Sequence, residues 1–265
     1  MNRKKLIIYI VVTYGFTWLL WLPLLLNRQF NAGLPLLPGQ FYLASFGPLA
    51  GAAAAAALTG GRDALARWAG RAYSLRFAPR WLAIALGAPL AYGIAAVLAH
   101  RLFIGIWPDW SHFGLTRELP GFNIWGTALV WLLTFGLGEE SGWRGFLLPE
   151  LNKRFSLMNS ALIVAAVWIL WHLPAFWFND NYMHMGFGII GWAISLAYGS
   201  VLLAWLCRGS GFSIIPVLLW HGVFDLLTAS DQAAQVMAMV CSMLVIVHGI
   251  LLSTKLARIG RTERV

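Results

Sequence analysis

The sequence predicts an all-α fold, a polytopic helical bundle integral to a membrane, and three observations predict it. Sixty per cent of the 265 residues are hydrophobic and only 11% are charged, with a mean hydropathy of +0.71. A water-soluble domain of this length could not hide so much apolar surface in one core. Apolar runs of roughly 20 residues, the length a helix needs to cross the hydrocarbon, recur along the chain. The basic residues, finally, alternate in density from one connection to the next.

About eight such runs can be read in order. The first, 6–26, follows Arg3-Lys4-Lys5; it is too long for a signal peptide and is closed by no small-x-small cleavage site, so an uncleaved helix is expected. The second, 41–58, is rich in alanine and contains Phe46-Gly47-Pro48-Leu49. The arginine-rich connection 62–80, with Trp68 and Tyr73, reads as a topology anchor or an interfacial helix. Runs at 81–105, 122–146, 158–178, 186–207, 212–228 and 233–254 complete the set. Connections are short and none could fold alone, so 1–265 is expected to form one membrane domain, with its chemistry in a core of about 120–230.

The net charge of +9 is a matter of topology, not of nucleic-acid binding. With a cytoplasmic amino terminus, only Arg28, Arg101 and Arg117 of the 19 basic residues fall outside, as the positive-inside rule requires, and both termini are then cytoplasmic. The basic face is expected to meet anionic lipid. Cys207 and Cys241 sit within or at the ends of spans and indicate neither a disulfide framework nor a cysteine metal site. Tryptophans near span ends read as interface anchors.

Most of the ten acidic residues lie in loops or tails, Glu118, Asp231 and Glu263 among them. Glu139, Glu140 and Asp225 fall in spans, where a charge costs at least ~2.5 kcal/mol and needs a partner, a proton or a role. Glu140 and Arg144 are four apart, as are His221 and Asp225, so each pair shares a helix face. His172 stands in the fifth span. Either pair also reads as plain structural glue, and His248, alone in the last span, reads as a packed residue. Together, however, three helices offer groups suited to one buried site. A carboxyl in an apolar pocket can exchange protons with water, and histidines can hold that water or donate to an oxyanion. Glu139, His172, His221 and Asp225 are equally a nitrogen and oxygen set for Zn2+ with an open position. Both versions lead to hydrolysis. Glu139 is left as the unpaired acid, about 10 Å from the inner end of its span, with His221 near 14 Å and His172 near 20 Å.

These residues resemble the CAAX-processing and bacteriocin-processing membrane proteins, the Abi or CPBP family of intramembrane endopeptidases. Its Glu-Glu-x-x-x-Arg element is matched by Glu139 to Arg144, its aromatic-x-x-x-His element by Trp168 to His172, and its His-x-x-x-Asn or Asp element by His221 to Asp225. Trp168 stands where the family usually has Phe, and Asp225 where the prenyl-protein proteases commonly have Asn. The resemblance implies that Glu139 activates water, His172 helps hold it, His221 and Asp225 stabilise the oxyanion or share a metal, and Glu140 and Arg144 fix the site. It implies a membrane-embedded or lipid-anchored polypeptide substrate and a site facing the cytoplasm; the compact loops suggest a prokaryotic plasma membrane. A non-proteolytic role in bacteriocin self-immunity or scaffolding, and a proton-coupled transporter, are the rival readings. Oligomeric state is not indicated.

Overall fold

A computed structural model describes residues 2–116, 119–229 and 236–262, with side chains omitted at 112 and 257–262. Arg117, Glu118, Asp231, Glu263 and Arg264 lie outside the described residues. The described chain is helical, and six helical segments are long and apolar enough to cross a membrane: Arg3–Phe30, Gln40–Ala72, Arg80–Ile104, Leu157–Trp177, Gly188–Gly209 and Val236–Leu256. Ile7, Leu19, Ile94, Leu98 and Leu102 are among the large apolar side chains left exposed along them. Such an exposed apolar surface is what a lipid-facing helix presents. The protein is an integral membrane protein.

Helix α1 (Arg3–Phe30) is capped by the Asn2 side chain, which accepts from the Lys5 amide, and stops at Asn31 in the left-handed conformation. A short α2 (Gln40–Leu43) and the 3-10 turn Ala44–Phe46 lead into α3 (Gly47–Ala72). Pro48 sits in its first turn, where a missing N–H costs nothing. Helices α1 and α3 approach closely because Gly47 and Gly51 have no side chain: a Cβ at either would strike Thr17 or Thr13. Small residues do this work throughout membrane bundles. The expected end of the second span near 58 holds, since Gly60 and Gly61 leave helical geometry. The arginine-rich segment that follows is helical to Ala72 and docks on the bundle. Arg71 donates to the Gly145 carbonyl, and Ala72 O accepts from the Ile214 amide.

After α4 (Arg80–Ile104) comes one continuous helical path with changing pitch. It runs through α5 (Ile124–Trp131), a π-helical stretch Leu132–Glu139, α6 (Glu140–Gly142), a second π-helical stretch Trp143–Leu147, and α7 (Leu148–Asn152). The fourth span therefore ends six residues later than the apolar pattern suggests. Leu148 to Asn152 remain helical, and within them Glu150, which reads as a loop acid, receives Lys5 Nζ and Lys153 Nζ, each at 2.8 Å.

Helix α8 (Leu157–Trp171) ends where Pro174 forces a 3-10 turn, Leu173–Trp177. A single turn α9 (Asp180–Met183), then α10 (Gly188–Gly209), α11 (Ile215–Thr228) and α12 (Val236–Thr262) complete the described fold. At 14 residues α11 is shorter than a spanning helix and is largely enclosed by its neighbours. Lys5, Arg71 and Lys153 gather at one end of the bundle, whereas Arg28 pairs with Asp180 (2.7 Å) at the other. His248 is not isolated: its Nδ1 lies 2.5 Å from the Tyr92 hydroxyl of α4.

Two tests follow from this packing. A Cβ on Gly142 would lie 2.5 Å from the Pro48 carbonyl oxygen. Gly142→Ala is therefore expected to cost ~1–3 kcal/mol of stability in micelles; an unfolding curve superimposable on wild type would refute the close approach. At Glu150, one carboxylate oxygen receives both Lys5 Nζ and Lys153 Nζ at 2.8 Å. Glu150→Ala is expected to cost ~1–3 kcal/mol in the same unfolding assay, as the loss of hydrogen bonds to a charged group does. An unchanged curve would show that this contact does not hold the end of the helix.

Candidate active site

The acidic motif is built where neighbouring backbones come closest. Gly136 lies against the Leu218 carbonyl of α11, Gly138 against Ser45 and Gly142 against Pro48, each leaving no room for a Cβ. The glycines draw α11 on one side and the start of α3 on the other onto the segment carrying Glu139 and Glu140. Both stretches flanking Glu140 to Gly142 are π-helical, a rare geometry that is frequent at functional sites. Tyr73 and Ser141 hydroxyls meet at 2.8 Å, and Ser141 also donates to Leu137 O.

Glu140 and Arg144 are both fully buried, joined by Arg144 Nη1 to Glu140 Oε1 at 2.8 Å. The same Oε1 accepts from His221 Nδ1 at 2.8 Å. His221 Nε2 stands 3.6 Å from Asp225 Oδ2, beyond hydrogen-bond range. With Nδ1 donating to Glu140, a proton on either Nε2 or Asp225 is needed for that approach to be favourable. Glu140 Oε2 and Arg144 Nε and Nη2 have no protein partner among the described residues. The Arg144 guanidinium instead lies over the Trp168 ring, 4.6 Å from its centroid.

Glu139 is not the unpaired acid that the spacing suggests. Its Oε2 accepts two indole N–H groups, Trp168 Nε1 at 2.7 Å and Trp143 Nε1 at 3.2 Å. No described residue donates to Oε1. Trp143 was missed as a site residue, although it stands four residues after Glu139, the same signal that pairs Glu140 with Arg144. Trp168 is more than a packing aromatic, because its ring edge also meets His221 with centroids 5.4 Å apart.

His172 caps the end of α8, where its Nδ1 donates to the Trp168 carbonyl at 2.8 Å. That bond leaves Nε2 of the neutral ring as an acceptor. The imidazole packs among Trp171, Tyr182 and Trp192, at 4.8 to 5.7 Å between centroids. It forms no direct hydrogen bond to Glu139 or His221. The gap in depth between His172 and Glu139 closes because α7 extends the fourth span. Glu139 lies 13 residues from Asn152 and His172 15 from Leu157, so each is about 20 Å from the turn that joins these helices. The site is near the middle of its helices, deeper than the 10 Å read from sequence.

Among the described residues no group of three or more His, Cys, Asp or Glu is placed to hold a metal ion. Glu139 Oε2, His172 Nδ1 and His221 Nδ1 are each committed to a protein partner. What the arrangement offers is one carboxylate oxygen without a protein donor, one imidazole acceptor, and a carboxylate-held imidazole on the facing helix, all under 9% exposed. Asp225, half-buried, lies at the more open edge.

All of these polar groups fall inside one matched stretch. Residues 121–227 match the family model of the type II CAAX prenyl endopeptidase, Rce1-like. The resemblance to that family rests on this stretch. The same family is reached through the "CAAX prenyl protease 2" of Methanococcus maripaludis, 29% identical over 103 residues. That alignment covers 37% of this chain and 38% of the relative, so the chain spans well under half the length of the curated relative it matches. The matched stretch begins just before α5 and ends one residue short of the end of α11. It therefore includes Glu139, Glu140, Trp143, Arg144, Trp168, His172, His221 and Asp225.

The shared Glu140 carboxylate makes a measurable demand. Removing it alone strands the Arg144 charge, so Glu140→Ala is expected to cost ~3–5 kcal/mol. The double change Glu140→Met with Arg144→Met should cost less than either single change in the same unfolding assay. Singles and double that destabilise additively would show that the pair is not coupled.

Proposed function

We propose that this chain is an intramembrane endopeptidase that hydrolyses peptide bonds in membrane-associated or lipid-anchored polypeptides, without a step that needs a metal. The observation that carries the reading is Glu139: a buried carboxylate with one oxygen held by indoles and the other bare, inside the stretch that matches the CAAX protease family. Oε1 takes a proton from a water as its oxygen attacks the scissile carbonyl carbon. His172, whose Nδ1 donates to the Trp168 carbonyl at 2.8 Å, accepts from that water through Nε2 and aims it. The carbonyl oxygen gathers negative charge on the side of His221, which Glu140 holds by Nδ1. Collapse of the tetrahedral intermediate breaks the C–N bond, and the proton on Glu139 passes to the leaving amine.

A low-dielectric site strengthens each of these electrostatic steps and keeps bulk water from competing. Asp225, at the open edge beside His221, requires a shared proton there and so couples the oxyanion side to pH. The relative's name points to a prenylated carboxy-terminal substrate, a choice consistent with a site enclosed by lipid-facing helices. The gathering of Lys5, Arg71 and Lys153 at one end supports a cytoplasmic basic face on anionic lipid.

The test is turnover of a prenylated CAAX-type peptide by purified protein in micelles. Glu139→Ala and His172→Ala are each expected to lose about 100-fold to 10,000-fold in kcat, the usual weight of a positioned acid or base. Treatment with a strong chelator should leave the wild-type rate unchanged. Full turnover by Glu139→Ala would sink the mechanism, and loss on chelation that zinc restores would replace it with a metal-assisted one.

A further inference from the structure

We infer that Trp168 is a positioning residue that sets Glu139 and His172 in register with each other, with Trp143 as its second on Glu139; this rests on the peptidase reading above. Trp168 acts through two separate handles. Its indole N–H donates to Glu139 Oε2 at 2.7 Å, and its backbone carbonyl accepts from His172 Nδ1 at 2.8 Å. One residue thereby ties the carboxylate on the α5 to α7 path to the imidazole at the end of α8. No other described residue bonds to both.

The consequence for Glu139 is a choice between its oxygens. An ionised carboxylate oxygen has about two lone-pair directions, and the two indoles fill both on Oε2. Oε1 is the oxygen left to work. The consequence for His172 is a choice of tautomer, since a carbonyl can only accept, so Nδ1 carries the proton and Nε2 faces outward. The indole plane is itself clamped, by the Arg144 guanidinium 4.6 Å over its face and the His221 ring against it at 5.4 Å. Arg144 is fixed in turn by Glu140. Glu140 and Arg144 thus reach the reacting acid through an aromatic ring. A phenylalanine at 168 would keep the ring, the stacking and the carbonyl, and would lose only the donor.

The experiment replaces Trp168 with phenylalanine and, separately, with the sulfur isostere of tryptophan, benzothienylalanine, which has the same bicyclic shape and no N–H. Both are expected to lower kcat by about 10-fold to 100-fold, the weight of a hydrogen bond to a charged group, with KM within about twofold of wild type. An isostere protein that turns over at the wild-type kcat overturns the proposal, and it does so even if the phenylalanine protein fails to fold. The second readout needs no substrate. In nitrogen-15-labelled protein, Glu139→Gln should shift the indole N–H resonances of both Trp168 and Trp143 upfield and leave that of exposed Trp125 in place. Unmoved Trp168 and Trp143 resonances overturn the clamp. Resonances that move in Glu139→Gln, when the wild-type protein itself cleaves no peptide, sustain the clamp and sink the peptidase reading instead, so the two failures are distinguishable.

Discussion

The ion pair between Glu140 and Arg144 is the constraint on which the rest of the structure turns. Both groups are fully enclosed, on a helix surrounded by other helices at membrane depth. Taking two ions out of water costs several kcal/mol each, and their attraction offsets this only when geometry and further hydrogen bonds are favourable. Glu140 therefore recruits His221 from α11 with the same oxygen, and Arg144 lays its face on Trp168 from α8. Three helices are fixed at one level by one pair of charges. The glycines at 136, 138 and 142 let their neighbours close in until no gap remains beside those charges.

Around that pair, polar groups are shared out sparingly. Each residue commits one polar atom to a protein partner and leaves the other without a hydrogen bond among the described residues: Oε2 against Oε1 in Glu139, Nδ1 against Nε2 in His172. Tryptophan suits this division, because indole supplies one donor and a large apolar body. It can enter a lipid-enclosed core without bringing a charge that would need its own counter-ion.

Local pattern in the sequence carried the fold class and half of the site. Run length located most of the long helices, since it reports directly on hydrocarbon thickness. Four-residue spacing paired Glu140 with Arg144 and brought His221 near Asp225, because a helix puts such residues on one face. The bond from His221 to Glu140 spans 81 residues of sequence and leaves no local trace. Trp168 was legible as an aromatic in a motif, yet its N–H was not, since the donor matters only once Glu139 is placed opposite. The end of the fourth span was misread for the same reason: Glu150 looks like a solvent residue until Lys5, far away in sequence, is brought beside it.

The two π-helical stretches give the motif a property that its sequence does not announce. Each wider turn accommodates one residue more than an α-turn would, a phase slip of about 100° for everything downstream. Removing a single residue between Leu132 and Leu147 could leave every backbone group bonded along the helix axis and still swing Arg144 away from Glu140. A length change of one residue would then be invisible to hydropathy and to helical content, and would disconnect α8 and α11 from the acidic segment. In this region helical phase, as much as residue identity, decides whether the polar groups of three helices meet.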